Sequence, residues 1–129
     1  GPKAMAQAGI NHDDIDLTMI YDSFTYTVML TLESLGFCGR GEVADFVAGQ
    51  RTAPGGDFPL NTNGGGLSYS HPGMYGSFLL VEAVRQLRGE AGDRQVHRKG
   101  TNDQNPQISL VNGTGGSLSS TGTVVLGTG

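Results

Sequence analysis

Apolar residues fall in short stretches separated by glycine- and proline-rich segments, and their spacing predicts the order helix, strand, helix, helix, strand, strand. Pro2 suits the first position of a helix and Gly9 the cap just past its end, so Lys3 to Ala8 reads as a short helix. After an acidic turn at Asp13 and Asp14, "DIDLTMIYDSF" gathers Leu17, Met19, Ile20 and Tyr21 into an apolar strand. A helix is expected from Phe24 to Leu35, closed by Gly36. Phe24, Val28, Leu32 and Leu35 follow its period, but Tyr26, Met29 and Leu30 spread onto the other faces, which predicts burial between layers.

Residues 38–66 show no sustained period and contain Pro54, Gly55, Gly56 and Pro59, so they read as one long loop. A loop of that length in a compact domain is commonly functional or covered by a partner. The helix expected after Pro72 directs Phe78, Leu79, Ala83, Val84 and Leu87 inward and Glu82, Arg85 and Arg88 outward, ending near Gly89. A polar connection follows, and "QISLV" and "TGTVVLG" then read as two strands joined by the turn "NGTGGSLSS". This order points to an α/β layered domain without internal repeats. Because the chain opens in a helix, its sheet is expected to lack a first strand and to leave an edge or partner surface uncovered. The chain is accordingly read as one domain, residues 1–129, of a longer protein.

Composition narrows the function. The chain has 129 residues, 36% of them apolar, enough for one modest core. With 8 basic and 12 acidic side chains its formal charge is -4, which argues against nucleic-acid binding. No apolar run is long enough to predict a membrane span. The single cysteine, Cys38, excludes an intrachain disulfide and a multi-cysteine metal site, and it fits a reducing cytoplasm. The 22 glycines are far above ordinary usage and cluster at predicted turns.

One cluster is chemically suggestive. In "TNGGGLSYSHPGMYGSF", residues 62–78, His71 stands between a glycine run and a helix. The positive end of that helix favours a neutral ring able to donate one hydrogen bond, suited to an oxyanion or enolate; a loop histidine without chemistry is the plainer alternative. Tyr21 ends the first strand where sites collect in layered α/β folds, although a tyrosine there also serves as packing with a hydroxyl handle. Asn112 has a comparable address before another glycine turn. His12, His97 and Cys38 have no such context, and Gly64 to Gly66 lack the Lys-Ser/Thr of a phosphate loop.

At these three addresses the chain resembles the carboxyl-terminal half of the thiolase superfamily. "NGGGLSYSHPGMYG" is similar to the Gly-Gly-(x)-Gly-His-Pro-x-Gly motif, with Ser70 replacing a glycine. "DIDLTMIYDSF" resembles the segment carrying Asn-Glu-Ala-Phe in ordinary thiolases and His-Asp-Cys-Phe in the sterol-carrier-protein branch, with Tyr21 and Ser23 at the histidine and cysteine positions. "VNGTGG" resembles that branch's His-Asn-x-Gly-x-Gly-Gly, with Val111 replacing the histidine. The resemblance implies a thiolase-like layered half-domain, a mixed sheet covered by helices and lacking its first strand.

A hydroxyl titrating far above neutrality is a poor substitute for the thiol of Claisen condensation, and the Tyr-Asp-Ser-Phe form with its long insertion is most similar to the lipid-transfer-protein aldolases. That resemblance implies retro-aldol cleavage of β-hydroxyacyl-CoA side chains of steroids. Tyr21, with Tyr75 or Tyr26 in reserve, would accept the alcohol proton. His71 would hold the enolate oxygen, helped by a backbone N–H of the Asn112 to Gly116 turn, while Gly113, Gly115, Gly66 and Ser23 would line the substrate. Coenzyme A enters as the substrate thioester, and the resemblance implies no bound cofactor or metal. The implied partners are the thiolase amino-terminal half, a second copy in a homodimer, and a zinc-containing OB-fold protein. Without them the chain is expected to be inactive. A sterol-carrier-type thiolase or acetyl-CoA acetyltransferase and a noncatalytic assembly module are the rival readings.

Overall fold

A computed structural model describes residues 1–71 and 73–129. Pro72, expected just ahead of the second long helix, lies outside the described residues. The elements are α1 (Pro2–Ala8), β1 (Leu17–Ile20), α2 (Thr25–Leu35), α3 (Val43–Val47), α4 (Gly65–Ser68), α5 (Tyr75–Leu87), β2 (Ile108–Gly115) and β3 (Ser120–Gly127). Short 3-10 turns, including His12–Asp14 at the expected acidic turn, join them.

The sheet is mixed, in the order β1-β2-β3, with β1 parallel and β3 antiparallel to β2. All four residues of β1 are buried, because it has a layer on each side. Side-chain alternation divides the core: Ile20 and Leu110 join Met5, Leu32, Leu35 and Val43 on the α1–α2–α3 face, while Leu17, Met19 and Val111 join Tyr75, Leu79 and Ala83 on the α5 face. The outer side of β1 is held by the chain at Pro59–Asn61: Thr18 N–H donates to the Pro59 carbonyl and Asn61 N–H to the Thr18 carbonyl. The Asn61 amide extends this by bonding both backbone groups of Ile20 at 2.8 Å, replacing a strand neighbour with one side chain. The outer edge of β3 pairs with no strand among the described residues.

The α/β layering, the order of the principal elements and the caps agree with the sequence reading. Gly9 and Gly36 both close their helices in the left-handed conformation. Four details differ. The aperiodic stretch 38–66 contains the short helix α3, whose Val43 reaches the core beneath α2. Helix α2 is not buried all round: Leu32, Leu35 and Thr27 are buried, but Phe24 and Tyr26 are 70% and 65% exposed, because a three-stranded sheet offers it a single face.

On α5 the sheet takes Tyr75, Leu79, Ala83 and Leu87, which turns Phe78 to the border at 41% exposure and Glu82 inward at 3%. Glu82 tolerates burial because Thr62 Oγ1 (2.9 Å), Gln86 Nε2 (3.1 Å) and the Arg94 guanidinium (3.0 Å) all donate to it. Finally, the expected glycine turn is largely strand. The ladder runs to Gly115 opposite Ser120, since glycine keeps the backbone N–H and C=O that a ladder needs, and only residues 116–119 turn.

Candidate active site

The site forms where β1 stops. Tyr21 remains tied to the sheet through its N–H, which donates to the Asn112 carbonyl at 2.9 Å, and its half-buried ring leans out past the strand end. Its ring centroid lies 6.0 Å from that of exposed His71 and 6.1 Å from that of buried Tyr75, both planes tilted by about 45°. Tyr21 thus forms one aromatic cluster with two residues about 50 positions further along the chain.

The glycine segment that delivers His71 is fastened at successive residues. Thr62 bonds Glu82, and Asn63 accepts from Gly65 N–H at 3.0 Å while its amide donates to the Tyr75 hydroxyl at 3.1 Å. Asp22, next to Tyr21 and only 4% exposed, accepts from Gly66 N–H at 2.6 Å and Leu67 N–H at 3.2 Å. Gly65 has to be glycine twice over: its φ is +71°, and a Cβ there would collide with the Asp22 carboxylate. The glycine run therefore lets backbone close onto a buried carboxylate, which in turn locks the loop to the strand that carries Tyr21.

A cleft of about 580 Å³ opens beside this cluster, lined by Tyr21, Gly73, Met74, Gly76, Ser77 and Leu80 on one side and by hairpin residues 113–115 and 120–122 on the other. The expected residues divide around it. Tyr21, Gly113 and Gly115 line the cleft, and the His71 ring lies tilted beside that of Tyr21 without being among the lining residues. Tyr75 is fully buried behind Tyr21. Burial raises its phenol above the ordinary value near 10; the Asn63 hydrogen bond opposes this, and the Asp22 carboxylate adds to it.

Tyr26 is exposed on the first turn of α2 and is not among the cleft-lining residues. Ser23 bonds Thr27 at 2.9 Å at the start of that helix, and the Gly66 amide is taken by Asp22. Asn112 is buried, its amide spanning to the Thr121 and Thr123 hydroxyls across the hairpin at 3.0 and 2.9 Å. It fixes the cleft wall rather than entering it. Asp22, Asn63, Gly73 and Gly76 were not singled out from the sequence. The signal for Asp22 was its place inside the Tyr-Asp-Ser-Phe segment; Asn63 and the two glycines acquire meaning only once Tyr75 and the hairpin are brought alongside.

The chain matches the family described as thiolase C-terminal domain-like over residues 1–128. It belongs to that family. It is 45% identical over 91 residues to the 17-hydroxy-3-oxo-4-pregnene-20-carboxyl-CoA lyase of Mycobacterium tuberculosis, 69% of this chain and 22% of that protein. It is 47% identical over 91 residues to the steroid side-chain-cleaving aldolase of Thermomonospora curvata, with the same two coverages. The chain thus spans about a fifth of the length of these curated relatives. A solved structure described as an Ltp2-ChsH2(DUF35) aldolase superimposes with a TM-score of 0.78 at 37% identity, covering 98% of this chain and 30% of that one. Thiolase C-terminal architecture and likeness to the aldolase and lipid-transfer branch are thereby established, as the motifs around Tyr21, His71 and Asn112 implied. Among the described residues no helix is long and apolar enough to cross a membrane, and no three His, Cys, Asp or Glu side chains gather as a metal set.

Proposed function

We propose that this domain works as the carboxyl-terminal part of a longer thiolase-fold enzyme that cleaves β-hydroxyacyl-CoA thioesters of steroid side chains by a retro-aldol reaction. The observation that supports the reading is the 6.0 Å separation of the Tyr21 and His71 rings, with Tyr21 lining the cleft. The relatives named as steroid side-chain-cleaving aldolase and carboxyl-CoA lyase supply the substrate class.

In the proposed step Tyr21 accepts the proton of the tertiary alcohol, the alcohol oxygen becomes a ketone, and the bond from the carbinol carbon to the thioester α-carbon breaks. Its electron pair passes into a CoA-ester enolate held by His71, and a proton returned to the α-carbon completes a saturated acyl-CoA. No oxidant or reductant is consumed. One well-placed donor to such an oxyanion contributes about 3 kcal/mol. Tyr75, with its raised phenol and no opening to solvent, serves as the wall behind Tyr21 rather than as the base. The amino-terminal thiolase half, a second copy and a zinc-containing OB-fold protein complete the proposed assembly, and a cytoplasmic location fits it.

The test is product analysis of the full-length protein with 17-hydroxy-3-oxo-4-pregnene-20-carboxyl-CoA, the thioester named for the mycobacterial relative. A 17-ketone and propanoyl-CoA are expected. Conversion of acetoacetyl-CoA and CoA to acetyl-CoA, without ketone release from the steroid, would establish a thiolase instead.

A further inference from the structure

Most of the 22 glycines have a reason inside the fold. Gly9, Gly36, Gly64 and Gly65, among others, adopt positive φ, and at Gly39 or Gly66 a Cβ would press on Glu42 or Asp22. Six meet neither condition: Gly127 has no positive φ and only an ordinary contact at 3.7 Å, and Gly73, Gly76, Gly113, Gly122 and Gly129 have no positive φ and open space where a Cβ would stand. Nothing in this fold requires glycine there, and at Gly76, inside α5, alanine would be the better helix former.

Four of these six, all except Gly127 and Gly129, line the Tyr21 cleft. They come from separate parts of the chain, namely the approach to α5, its first turn and both strands of the hairpin. No single local turn accounts for them. What they share is the space they face. That space has the volume of a small-molecule site, and no charged side chain is among the described residues lining it. An uncharged body fits such walls; the phosphates of coenzyme A would find no cation there.

Building on the retro-aldol reading, we propose that Gly73, Gly76, Gly113 and Gly122 are specificity residues. Their missing side chains form the seat for the wide carbon skeleton that departs as the ketone. Tyr21, lining the same cleft, then faces the hydroxyl at the edge of that skeleton. Met74 and Leu80 supply apolar contact, and the bare backbone lets a rigid ring system lie close.

The test uses the full-length protein with Gly76→Ala, Gly113→Ala and Gly122→Ala, each introduced singly. Calorimetric binding of 17-hydroxy-3-oxo-4-pregnene-20-carboxyl-CoA, measured in the Tyr21→Phe background so that the thioester is not consumed, is compared with that of 3-hydroxy-3-methylbutyryl-CoA, a small tertiary-alcohol thioester. Melting temperatures should hold, or rise for Gly76→Ala, while the dissociation constant for the steroid thioester increases tenfold or more and that for the small one less than threefold. Equal weakening of both thioesters, unchanged affinity for the steroid, a fall in melting temperature in all three variants, or no steroid binding by the Tyr21→Phe protein with its glycines intact would each overturn the proposal. Turnover is read separately: an unmodified protein that binds the steroid thioester without cleaving it defeats the retro-aldol reading and leaves the seat to be judged on binding.

Discussion

The two faces of the sheet are held by different forces. On the α2 face, contact is almost wholly apolar: Ile20, Leu32, Leu35 and Leu110 form the centre, and Phe37, Phe46 and Phe58 continue it edge to face at ring separations of 5.0 Å. On the α5 face a smaller apolar cluster is bordered by directional bonds, with Glu82 binding Thr62 and Arg94, Asn63 binding Tyr75, and Asp22 binding two loop amides. Apolar contact fixes a helix against a sheet but leaves side-chain placement tolerant of small shifts. Hydrogen bonds from buried groups fix one loop in one position, at the risk of leaving costly orphans when a partner is lost. The difference teaches that the α2 face supplies stability and the α5 face supplies geometry, and the candidate active site lies where geometry is controlled.

Substitutions should separate these roles, from the largest expected effect to the smallest. Tyr21→Phe in the full-length protein should lower kcat about 10²–10⁴-fold, the range of a general base, with melting unchanged within about 2 °C. Steady-state kinetics beside thermal denaturation checks this, and full activity would remove Tyr21 from the chemistry. Leu32→Ala, on the opposite face, should cost about 3 kcal/mol of stability by emptying a fully buried site, while kcat per folded enzyme stays at the parent value. Denaturant titration and active-site-normalised rates measure the two quantities together.

Asp22→Ala joins the two effects. It leaves the Gly66 and Leu67 amides without their acceptor, so about 2 kcal/mol of stability should go, and amide exchange should accelerate in the segment from Gly64 to His71. The same variant should lower kcat more than it raises KM, because the tyrosine and histidine lose their common anchor. If kcat persists while the loop exchanges freely, the clamp does not serve the site.

Glu82 gives the smallest effect and the only pH signature. Burial alone would raise its carboxyl, but hydrogen bonds from Arg94, Thr62 and Gln86 outweigh burial and hold it below its ordinary 4.5. Its contribution is therefore complete above that ordinary value and lost as acidification carries pH down through the lowered one. Glu82→Gln should melt lower than the parent at pH 7, and the gap should narrow as the pH falls below the ordinary 4.5 and through the lowered value. A gap that stays constant across this range would mean the charge of Glu82 contributes nothing.

Much of this was legible in the sequence where a short rule applies. Pro2 and Gly9 bracket α1, Gly36 stops α2, and Leu17, Met19 and Ile20 announce β1. The motifs around Tyr21 and His71 pointed to residues that the fold does bring together, although they lie 50 positions apart in the chain. What escaped depends on long-range partners. Glu82 reads as solvent-facing until Thr62 and Arg94 arrive beside it, and Asn61 reads as loop until its amide takes a strand's place against Ile20. Val43–Val47 is too short for a helical period to declare itself, and Gly113 and Gly115 look like turn residues until the ladder pairs them with Gly122 and Ser120. Asn112 shows the same limit: its address suggested the site, but its amide is committed to the Thr121 and Thr123 hydroxyls.

The central claim is that Tyr21 and His71 act on one substrate in one cleft. It is tested most directly by following release of the 17-ketone from 17-hydroxy-3-oxo-4-pregnene-20-carboxyl-CoA in the full-length protein, its Tyr21→Phe variant and its His71→Ala variant. The account predicts ketone and propanoyl-CoA in equal amounts from the parent, and loss of both products in each variant with thioester binding retained. Ketone release at the parental rate from either variant would contradict it.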